Sequence, residues 1–271
     1  MENTEITSVN NELVKQVVKL QQKKYRDEEK KFLLEGFKPI EEAFLAKIDI
    51  EQVFVNKKNN VMLNLFQHLI SEQLCDPELS SGRRECKLIS TTEAVLKKIS
   101  TTDSAPEAVA VAKQKIFTLD DIKSAKKVVL LENIKDLGNL GTILRTAKAF
   151  SQDAIILFGD TVDLYNPKCV RSAVGNLWKI PVVQIKDLSV LKSVFKDYER
   201  VATLPKSQDT VNLKDFKAKS PYLIMFGSEA EGLSQDLIDF STKKVTIEMN
   251  NEVESLNLSI SVGIVLHEMS K

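Results

Sequence analysis

Three polar loops next to predicted strands and helices hold the residues whose types and spacing could support chemistry. The first, residues 132–145, follows the apolar run Val128–Leu131, and the second, residues 226–233, follows Tyr222–Phe226. The third, residues 247–259, lies just ahead of an apolar segment that is predicted to be helical. Ligands bind at the carboxyl ends of parallel strands. The three loops together therefore predict a ligand site, although each alone could be an ordinary turn.

The first loop has the composition of a tight strand-to-helix turn. Asp136 and Asn139 are of the types that form turns and cap helices, and Gly138 and Gly141 allow another group to approach the backbone closely. Arg145 lies in the helix that follows. It could be a functional cation or simply a surface arginine.

Several common kinds of site are excluded. The sequence contains no Gly-x-Gly-x-x-Gly turn, no phosphate-binding Gly-x-x-x-x-Gly-Lys-Ser/Thr loop and no Gly-x-Ser-x-Gly elbow. His68 and His267 lie in surroundings that do not suit a catalytic imidazole, so both are predicted to be structural or solvent-facing. Cys75, Cys86 and Cys169 are too few and too scattered for a disulfide framework or a zinc site, and no metal is expected.

The composition is that of a folded protein without a membrane span. The chain has 271 residues, of which 43% are hydrophobic and 28% charged. No apolar run approaches the roughly 20 residues that a membrane helix needs, and residues 1–20 do not resemble a leader peptide. A soluble, cytoplasmic protein is predicted. Its 38 basic and 38 acidic side chains sum to zero net charge, which argues weakly against a general polyanion binder.

Positive charge is nevertheless concentrated near the amino end. Residues 10–31 contain seven basic and four acidic side chains, and Leu13, Val17 and Leu20 recur at helical spacing. This pattern predicts an amphipathic helix with a basic face. Such a face is most often only solvated, but it could also bind a polyanion.

The first part of the chain alternates strands and helices, so residues 1–115 are predicted to form a small α/β domain. Residues 61–86 interrupt this alternation and are interpreted as an insertion, with a short helix first and a loop at Pro77–Arg84. Residues 116–126 are polar and are predicted to be a linker. The expected strands are 31–36, 52–56 and 108–113, and helices are expected at 39–47 and within 88–99.

From residue 127 the alternation is more regular. Continuous apolar strands separated by helices indicate a mostly parallel sheet that is covered on both faces. Residues 127–271 are therefore expected to form a second α/β domain. Its predicted strands are 128–131, 154–158, 181–185, 200–204, 222–226 and 245–248, and its predicted helices are 140–150, 167–177, 188–198 and 254–269.

The three loops, in this order, resemble the motifs of the SpoU/TrmH branch of the SPOUT methyltransferases. The first motif matches Asn133, Asp136, Gly138, Asn139, Gly141 and Arg145. The second matches Gly227, Ser228, Glu229, Glu231, Gly232 and Leu233, and the third matches Ile247, Met249, Ser255, Leu256, Asn257 and Ser259. The front domain resembles the ribosomal-protein-L30e-like substrate-binding domain of the family's ribosomal RNA members.

This resemblance implies an enzyme that uses S-adenosylmethionine to methylate a ribose 2′-hydroxyl of structured RNA, most of all ribosomal RNA. It also implies an α/β fold with a C-terminal, trefoil-knotted SPOUT domain and an N-terminal L30e-like domain. The knotted loops would hold the cofactor. The apolar final helix would be buried within one chain or, as in relatives, form a homodimer interface, and a homodimer is the favoured expectation. The implied cofactor-binding residues are Leu204, Gly227, Ile247, Met249 and Leu256.

Arg145 matches the catalytic arginine proposed for this family. A guanidinium is effectively always protonated in proteins. Two roles therefore stay open: a base assisted by a nearby RNA phosphate, or a cation that clamps phosphate and stabilises the developing oxyanion. The resemblance further implies that Asn139, Glu229, Ser255 and Asn257 orient Arg145 and the ribose.

Next to a methyltransferase domain, the basic front helix is predicted to bind RNA phosphates. Two other functions stay open: a transfer RNA ribose methyltransferase, and a non-catalytic RNA-binding or ribosome-assembly protein of the same fold. The separate front domain argues against the first, and the intact motif residues argue against the second. Neither DNA nor a membrane is expected as a partner. The predicted phosphate contacts are Lys15, Lys19, Lys23, Lys24 and Arg26.

Overall fold

A computed structural model of the chain describes residues 4–74, 86–250, 252–253 and 255–271. The chain divides into two compact units. The first consists of residues 1–115 and 163–178, and the second consists of residues 116–162 and 179–271.

In its described residues, the first unit has a five-stranded mixed sheet with the strand order β1-β4-β3-β5-β2. Strands β1, β4 and β3 are parallel to one another, and β5 is antiparallel to β3 and β2. The strands are β1 (Thr4–Ile6), β2 (Lys31–Glu35), β3 (Ile50–Asn56), β4 (Lys87–Thr91) and β5 (Ala108–Lys113). The helices are α1 (Glu12–Lys19), α2 (Lys23–Glu29), α3 (Phe37–Leu45), α4 (Asn60–Leu74) and α5 (Glu93–Ile99).

Helices cover both faces of this sheet. The buried side chains of α1 and α5 pack against the face that carries Leu33, Phe54 and Val109. The connections from β2 to β3 and from β3 to β4 join parallel strands, and the rule that such crossovers are right-handed places α3 and α4 together on the other face. There the ring of Phe66 in α4 lies 5.4 Å from that of Phe37 in α3.

The basic segment forms two helices rather than the one that was predicted. Helix α1 ends at Lys19, and α2 starts only after Gln22, whose backbone is extended. The guanidinium of Arg26 donates to the carbonyls of Leu20 and Gln21, at 2.8 Å each, and so satisfies acceptors at the end of α1. It also pairs with Asp163. The side chain of Arg26 is buried, so the prediction that it contacts RNA is corrected: Arg26 is a core residue.

The first half of the predicted insertion is an ordinary part of the fold. Parallel strands such as β3 and β4 need a crossover connection, and helix α4 provides it. The helix is also longer than predicted, and it buries Phe66 and Ile70. The predicted loop Pro77–Arg84 lies outside the described residues.

A segment from the second half of the sequence belongs to the first unit. Residues 163–178 include α7 (Pro167–Ala173), which packs beside β2. Arg171 of this helix pairs with the buried carboxylate of Glu35, and the ring of Tyr165 lies 4.8 Å from that of Phe32. This division differs from the predicted domain boundaries, because these contacts join residues more than 100 positions apart.

In the second unit, the described residues form a seven-stranded parallel sheet with the order β10-β12-β9-β11-β6-β7-β8. The strands are β6 (Lys127–Glu132), β7 (Ala154–Phe158), β8 (Val182–Ile185), β9 (Glu199–Thr203), β10 (Val211–Asn212), β11 (Tyr222–Phe226) and β12 (Lys243–Thr246). The helices are α6 (Leu137–Ala149), α8 (Leu188–Val194), α9 (Gln235–Phe240) and α10 (Leu258–Met269).

The predicted parallel sheet is confirmed. Every residue of β7 and β11 is buried, as expected for strands that are covered on both faces. Strand β10 was not predicted, and α10 begins four residues later than predicted. The predicted linker at 116–126 also packs on this unit, because Ile122 and Ala125 join its core.

Within the described ranges, no helix is long and apolar enough to cross a bilayer.

Candidate active site

The loops that follow β9, β11 and β12 surround a pocket of about 620 Å³ at the carboxyl edge of the parallel sheet. Helix α10 closes one side of it through Leu258, Ser261 and Val265. The pocket therefore lies where ligands bind in sheets of this kind.

All five residues predicted to bind a cofactor line this pocket. They come from different parts of the chain: Leu204 follows β9, Gly227 follows β11, and Ile247, Met249 and Leu256 follow β12. The apolar side chains give the pocket a largely hydrophobic wall. The resemblance therefore identified a set of residues that the fold brings together from across 53 positions of sequence.

Gly227 is held where no side chain fits. A Cβ atom at this position would lie 1.8 Å from the carbonyl carbon of Gly232. The loop closes through two backbone hydrogen bonds between Ser228 and Gly232, of 3.1 and 3.0 Å. The backbone of residues 227–232 thus folds back on itself beside the pocket, and any larger residue at 227 would push it open.

Three side chains from the three motif loops form one hydrogen-bonded relay. The amide nitrogen of Asn257 donates to Oδ1 of Asn139 at 3.0 Å, and the amide nitrogen of Asn139 donates to Oε1 of Glu229 at 2.7 Å. We call this chain of hydrogen bonds the amide relay. It fixes the orientation of all three side chains, and the other oxygen of Glu229 has no hydrogen-bond partner among the described residues.

Local structure holds the two ends of the amide relay in place. The carboxylate of Asp136 caps α6 by accepting from the backbone nitrogen of Asn139 at 2.7 Å. Asn257 caps α10 in the same way, because its Oδ1 accepts from the backbone nitrogen of Ser259 at 2.9 Å. The side chain of Asn257 is therefore held by its own cap bond, whereas Asn139 is fixed through its backbone in the first turn of α6.

Arg145 is not part of the amide relay. It lies on an exposed part of α6 and has no hydrogen bond or ion pair with the described residues. Asn139, Glu229 and Asn257 bond to one another and not to Arg145 in the described chain. That they and Ser255 orient Arg145 and the ribose stays a prediction. Asn139 is buried, whereas Arg145 is exposed on the same helix.

Ser255 lines the pocket but, like Arg145, is not part of the amide relay. Its exposed side chain lines the pocket but makes no hydrogen bond within the described chain. Its hydroxyl is thus free for a ligand.

Some residues of the pocket were not assigned from the sequence. Thr203 ties β9 to β11, because its hydroxyl donates to the carbonyl of Met225 at 2.8 Å. On α10, Leu258, Ser261 and Val265 share one face at helical spacing, a signal that the sequence does contain. The lining residues missed by the sequence analysis include Thr203, Pro205, Ile238, Val245, Leu258, Ser261 and Val265.

Two further contacts brace the loops. Glu132, buried at the end of β6, accepts from the backbone nitrogen of Ser234 at 2.7 Å and so anchors the start of α9. Asn133 adopts a left-handed backbone, and its side-chain oxygen accepts from the backbone nitrogen of Asp160 at 2.8 Å. These contacts link the first motif to the neighbouring loops of the same sheet edge.

The two cysteines that the structure describes are buried. Burial raises the pKa of both the Cys86 and the Cys169 thiol to about 12, so both stay protonated. Cys75 lies outside the described residues. No group of three or more metal-ligating side chains occurs in the part of the chain that the structure describes.

The predicted RNA-binding lysines lie on the first unit, and all four are exposed. Lys15 pairs with Glu12, at 2.7 Å, within α1. The ammonium groups of Lys19 and Lys24 lie 5.6 and 5.7 Å from the ring centre of Tyr25. Lys23 has no partner among the described residues.

The motifs, the parallel sheet and the pocket at its carboxyl edge define a SPOUT-type α/β methyltransferase fold. Residues 126–267 match the sequence model of the SpoU rRNA Methylase family, and residues 11–110 match the MRM3-like substrate binding domain. The chain belongs to the SpoU rRNA methylase family, which confirms the resemblance seen in its motifs.

Known proteins similar to this chain agree with that family. An uncharacterized tRNA/rRNA methyltransferase of Synechocystis sp. is 33% identical over 97% of this chain and 92% of its own length. A 23S rRNA guanosine 2′-O-methyltransferase of Bacillus subtilis is 25% identical over 98% of both chains. The crystal structure of an AdoMet-bound rRNA methyltransferase from Sinorhizobium meliloti superimposes with a TM-score of 0.85 at 27% identity, covering 98% of this chain and 97% of that one. The trefoil knot stays a prediction.

Proposed function

We propose that this protein is an S-adenosylmethionine-dependent methyltransferase that modifies a ribose 2′-hydroxyl of ribosomal RNA. The observation that carries the proposal is the amide relay, which joins side chains of all three motif loops in the unit that holds the pocket. Membership of the SpoU rRNA methylase family, and the 2′-O-methyltransferase named among its relatives, support the reaction and the RNA class.

The pocket fits the proposed cofactor in size and chemistry. Its volume of about 620 Å³ lies within the range of small-molecule sites. Leu204, Ile247 and Leu256 offer apolar surface to the adenosine. The Glu231 carboxylate and the Ser255 hydroxyl line the same pocket and can bind the charged amino-acid part. The closed backbone loop at Gly227 adds hydrogen-bonding groups without side-chain bulk.

In this mechanism the relay residues position the nucleophile. When bound, the cofactor would supply a methyl group attached to a sulfonium, and the neutral thioether that remains is a good leaving group. Glu229 is held by Asn139, and its free oxygen can accept a hydrogen bond from the ribose hydroxyl. A hydroxyl fixed in this way is aligned for the transfer, and the Glu229 carboxylate can take up the proton that the hydroxyl loses.

Arg145 acts in this proposal as an electrostatic group. Because a guanidinium stays protonated, it cannot remove the ribose proton by itself. Its exposed position and lack of partners in the described chain leave it free to clamp an RNA phosphate and stabilise the developing oxyanion.

The proposed enzyme is a homodimer that associates through α10. This helix has apolar residues on both sides: Val262 and Val265 are buried, whereas Ile260 and Ile264 are 54% and 39% exposed. Ile260 and Ile264 lie one turn apart, so they can form one apolar contact surface for a second copy of the helix. Light scattering at micromolar concentration should give twice the chain mass of 30.5 kDa, and a mass equal to one chain would contradict the dimer.

The RNA surface of the proposal comprises Lys15, Lys19, Lys23 and Lys24 on α1 and α2, and the enzyme is expected to work in the cytoplasm. Exposed lysines around the Tyr25 ring can neutralise phosphates without reading sequence.

One experiment tests the function directly. The purified protein is first titrated with S-adenosylmethionine, and methyl transfer to ribosomal and transfer RNA from cells lacking the protein is then measured with labelled cofactor. Ribose methylation of ribosomal RNA is expected. Methylation of transfer RNA alone would identify the alternative substrate. Failure to bind the cofactor would favour a non-catalytic RNA-binding protein.

A further inference from the structure

The first unit has a crevice of its own, separate from the methyltransferase pocket. It has a volume of about 510 Å³ and lies at the carboxyl edge of the mixed sheet. We call it the front crevice. Its lining residues come from the turn after β3, the start of α5 and the segment before β5: Asn56, Lys58, Asn59, Asn60, Val61, Glu93, Ala105, Pro106 and Glu107.

The topology of the sheet explains why a crevice opens here. Strands β3 and β4 are parallel neighbours, paired to their ends at Asn56 and Thr91. The helices that follow them leave on opposite faces, α4 on one and α5 on the other. Where neighbouring connections diverge in this way, a crevice forms outside the carboxyl ends of the strands, and such crevices are the usual ligand sites of open α/β sheets.

Hydrogen-bond donors in the front crevice are fixed and available. Oδ1 of Asn56 accepts from the backbone nitrogen of Lys58, and Oδ1 of Asn59 accepts from that of Met62, both at 3.1 Å. Because each Oδ1 atom is occupied, the NH₂ group is the free end of each amide. Neither NH₂ group has a partner in the described chain. The Lys58 ammonium is likewise unpaired there, whereas its neighbour Lys57 pairs with Glu5.

The front crevice also contains acceptors that are out of place on a surface that binds RNA phosphate. Glu93 and Glu107 are exposed carboxylates without hydrogen-bond partners in the described residues. They would repel a phosphate backbone, but a carboxylate can accept hydrogen bonds from the N–H groups of a base edge. Val61 and Pro106 supply apolar surface for the ring of such a base.

We propose that the front crevice binds an unpaired guanine of the RNA substrate. This proposal rests on the proposed function and adds a recognition site to it. The Watson–Crick edge of guanine has one acceptor, O6, beside two donors, N1–H and N2–H. A carboxylate accepts both N–H groups at once, and an asparagine NH₂ donates to O6. Adenine and uracil do not present this paired donor edge, and Lys58 is placed for a neighbouring phosphate.

The test uses the full chain and short RNA probes. Fluorescence anisotropy measures the binding of labelled seven-nucleotide oligouridines that carry a central guanosine, adenosine or cytidine. The guanosine probe should bind about tenfold more tightly than the adenosine probe, as one good bidentate contact provides. The double variant Glu93→Gln and Glu107→Gln should lose most of this preference.

Two controls keep the result specific. Asp103→Asn removes one negative charge from the same 100–107 segment outside the crevice lining, and it should leave the guanosine preference unchanged. Thermal unfolding of each variant checks that the first unit is intact, and Asn56→Ala, which removes one donor, provides an independent second variant of the crevice.

Equal binding of the three probes, or a guanosine preference that survives in both crevice variants, would overturn the proposal. Cofactor binding and methyl transfer are measured on the same preparations. A protein that prefers guanosine but transfers no methyl group would refute the proposed function and leave the front crevice standing. A protein that methylates ribosomal RNA without any guanosine preference would support the proposed function and refute the guanine site in the front crevice.

Discussion

The basic segment of the first unit and the motif loops of the second each contain an arginine that the sequence marks as functional, yet the two have opposite surroundings. Arg26 is 1% exposed and fully engaged with Leu20, Gln21 and Asp163. Arg145 is exposed and without a partner in the described residues. Burial and partners, rather than residue type, therefore separate an arginine that supports the fold from one that is free to act.

The largest effect is expected from breaking the Arg26 ion pair. Arg26→Met leaves Asp163 and two helix-end carbonyls without their donor, and loss of one partner from a buried pair costs roughly 3–5 kcal/mol of unfolding free energy. Urea denaturation followed by circular dichroism measures it.

The matched control for Arg26 is Lys23→Met, an exposed cation at the start of the same short helix. It should change the unfolding free energy by no more than about 0.5 kcal/mol. If both variants were equally stable, the structural role of Arg26 would be wrong and its assignment to the RNA surface would be open again.

Arg26 also shows what a sequence pattern cannot contain. If the segment were one continuous helix with Leu13, Val17 and Leu20 facing inward, position 26 would face solvent. The break after Leu20 shifts the helical phase and turns Arg26 inward. Its partner, Asp163, is 137 residues away, and no local spacing points to that contact.

The motif loops were far more predictable. Their pocket-lining residues follow apolar strands, and the carboxyl ends of the strands of a parallel sheet meet at one edge. Leu204, Gly227 and Ile247 could therefore be assigned to one pocket from the sequence and the resemblance. What could not be predicted is how the polar side chains pair. The amide relay depends on helix caps at Asp136 and Asn257, whose geometry only the folded chain fixes.

Arg145→Ala should produce the second largest effect, this time on activity. Loss of a cation that stabilises charge in the transition state costs roughly 10²- to 10³-fold in kcat. The affinity for S-adenosylmethionine should not change, because Arg145 does not line the pocket. Single-turnover methyl transfer and cofactor titration measure the two quantities separately.

The matched control for Arg145 is Lys148→Ala, an exposed cation in the last turn of the same helix. It should retain nearly full activity. Substantial methylation by Arg145→Ala would refute the catalytic role, and equal losses in both variants would indicate a general effect of charge on RNA binding.

The amide relay should give an intermediate effect. In Asn139→Ala, Glu229 loses a charge-assisted hydrogen bond, and bonds of this kind contribute roughly 1.5–3 kcal/mol. We expect kcat to fall by about 10- to 100-fold, while RNA affinity is unchanged. Thr142→Ala, at an exposed position of the same helix, is the control that should keep its activity. A variant that lowered only the affinity for RNA would contradict a positioning role.

The smallest effect per residue is expected from the exposed lysines of the basic segment. Four glutamines in place of Lys15, Lys19, Lys23 and Lys24 should weaken RNA binding. They should also make the negative slope of log affinity against log salt shallower, by roughly 0.7–0.9 for each phosphate that is no longer neutralised.

The control replaces four exposed lysines of the second unit with glutamine and so matches the change in net charge: Lys192, Lys196, Lys217 and Lys219. If both quadruple variants changed the slope equally, the front helices would contribute only net charge, because a localised binding surface must respond to where the charges are and not merely to how many there are.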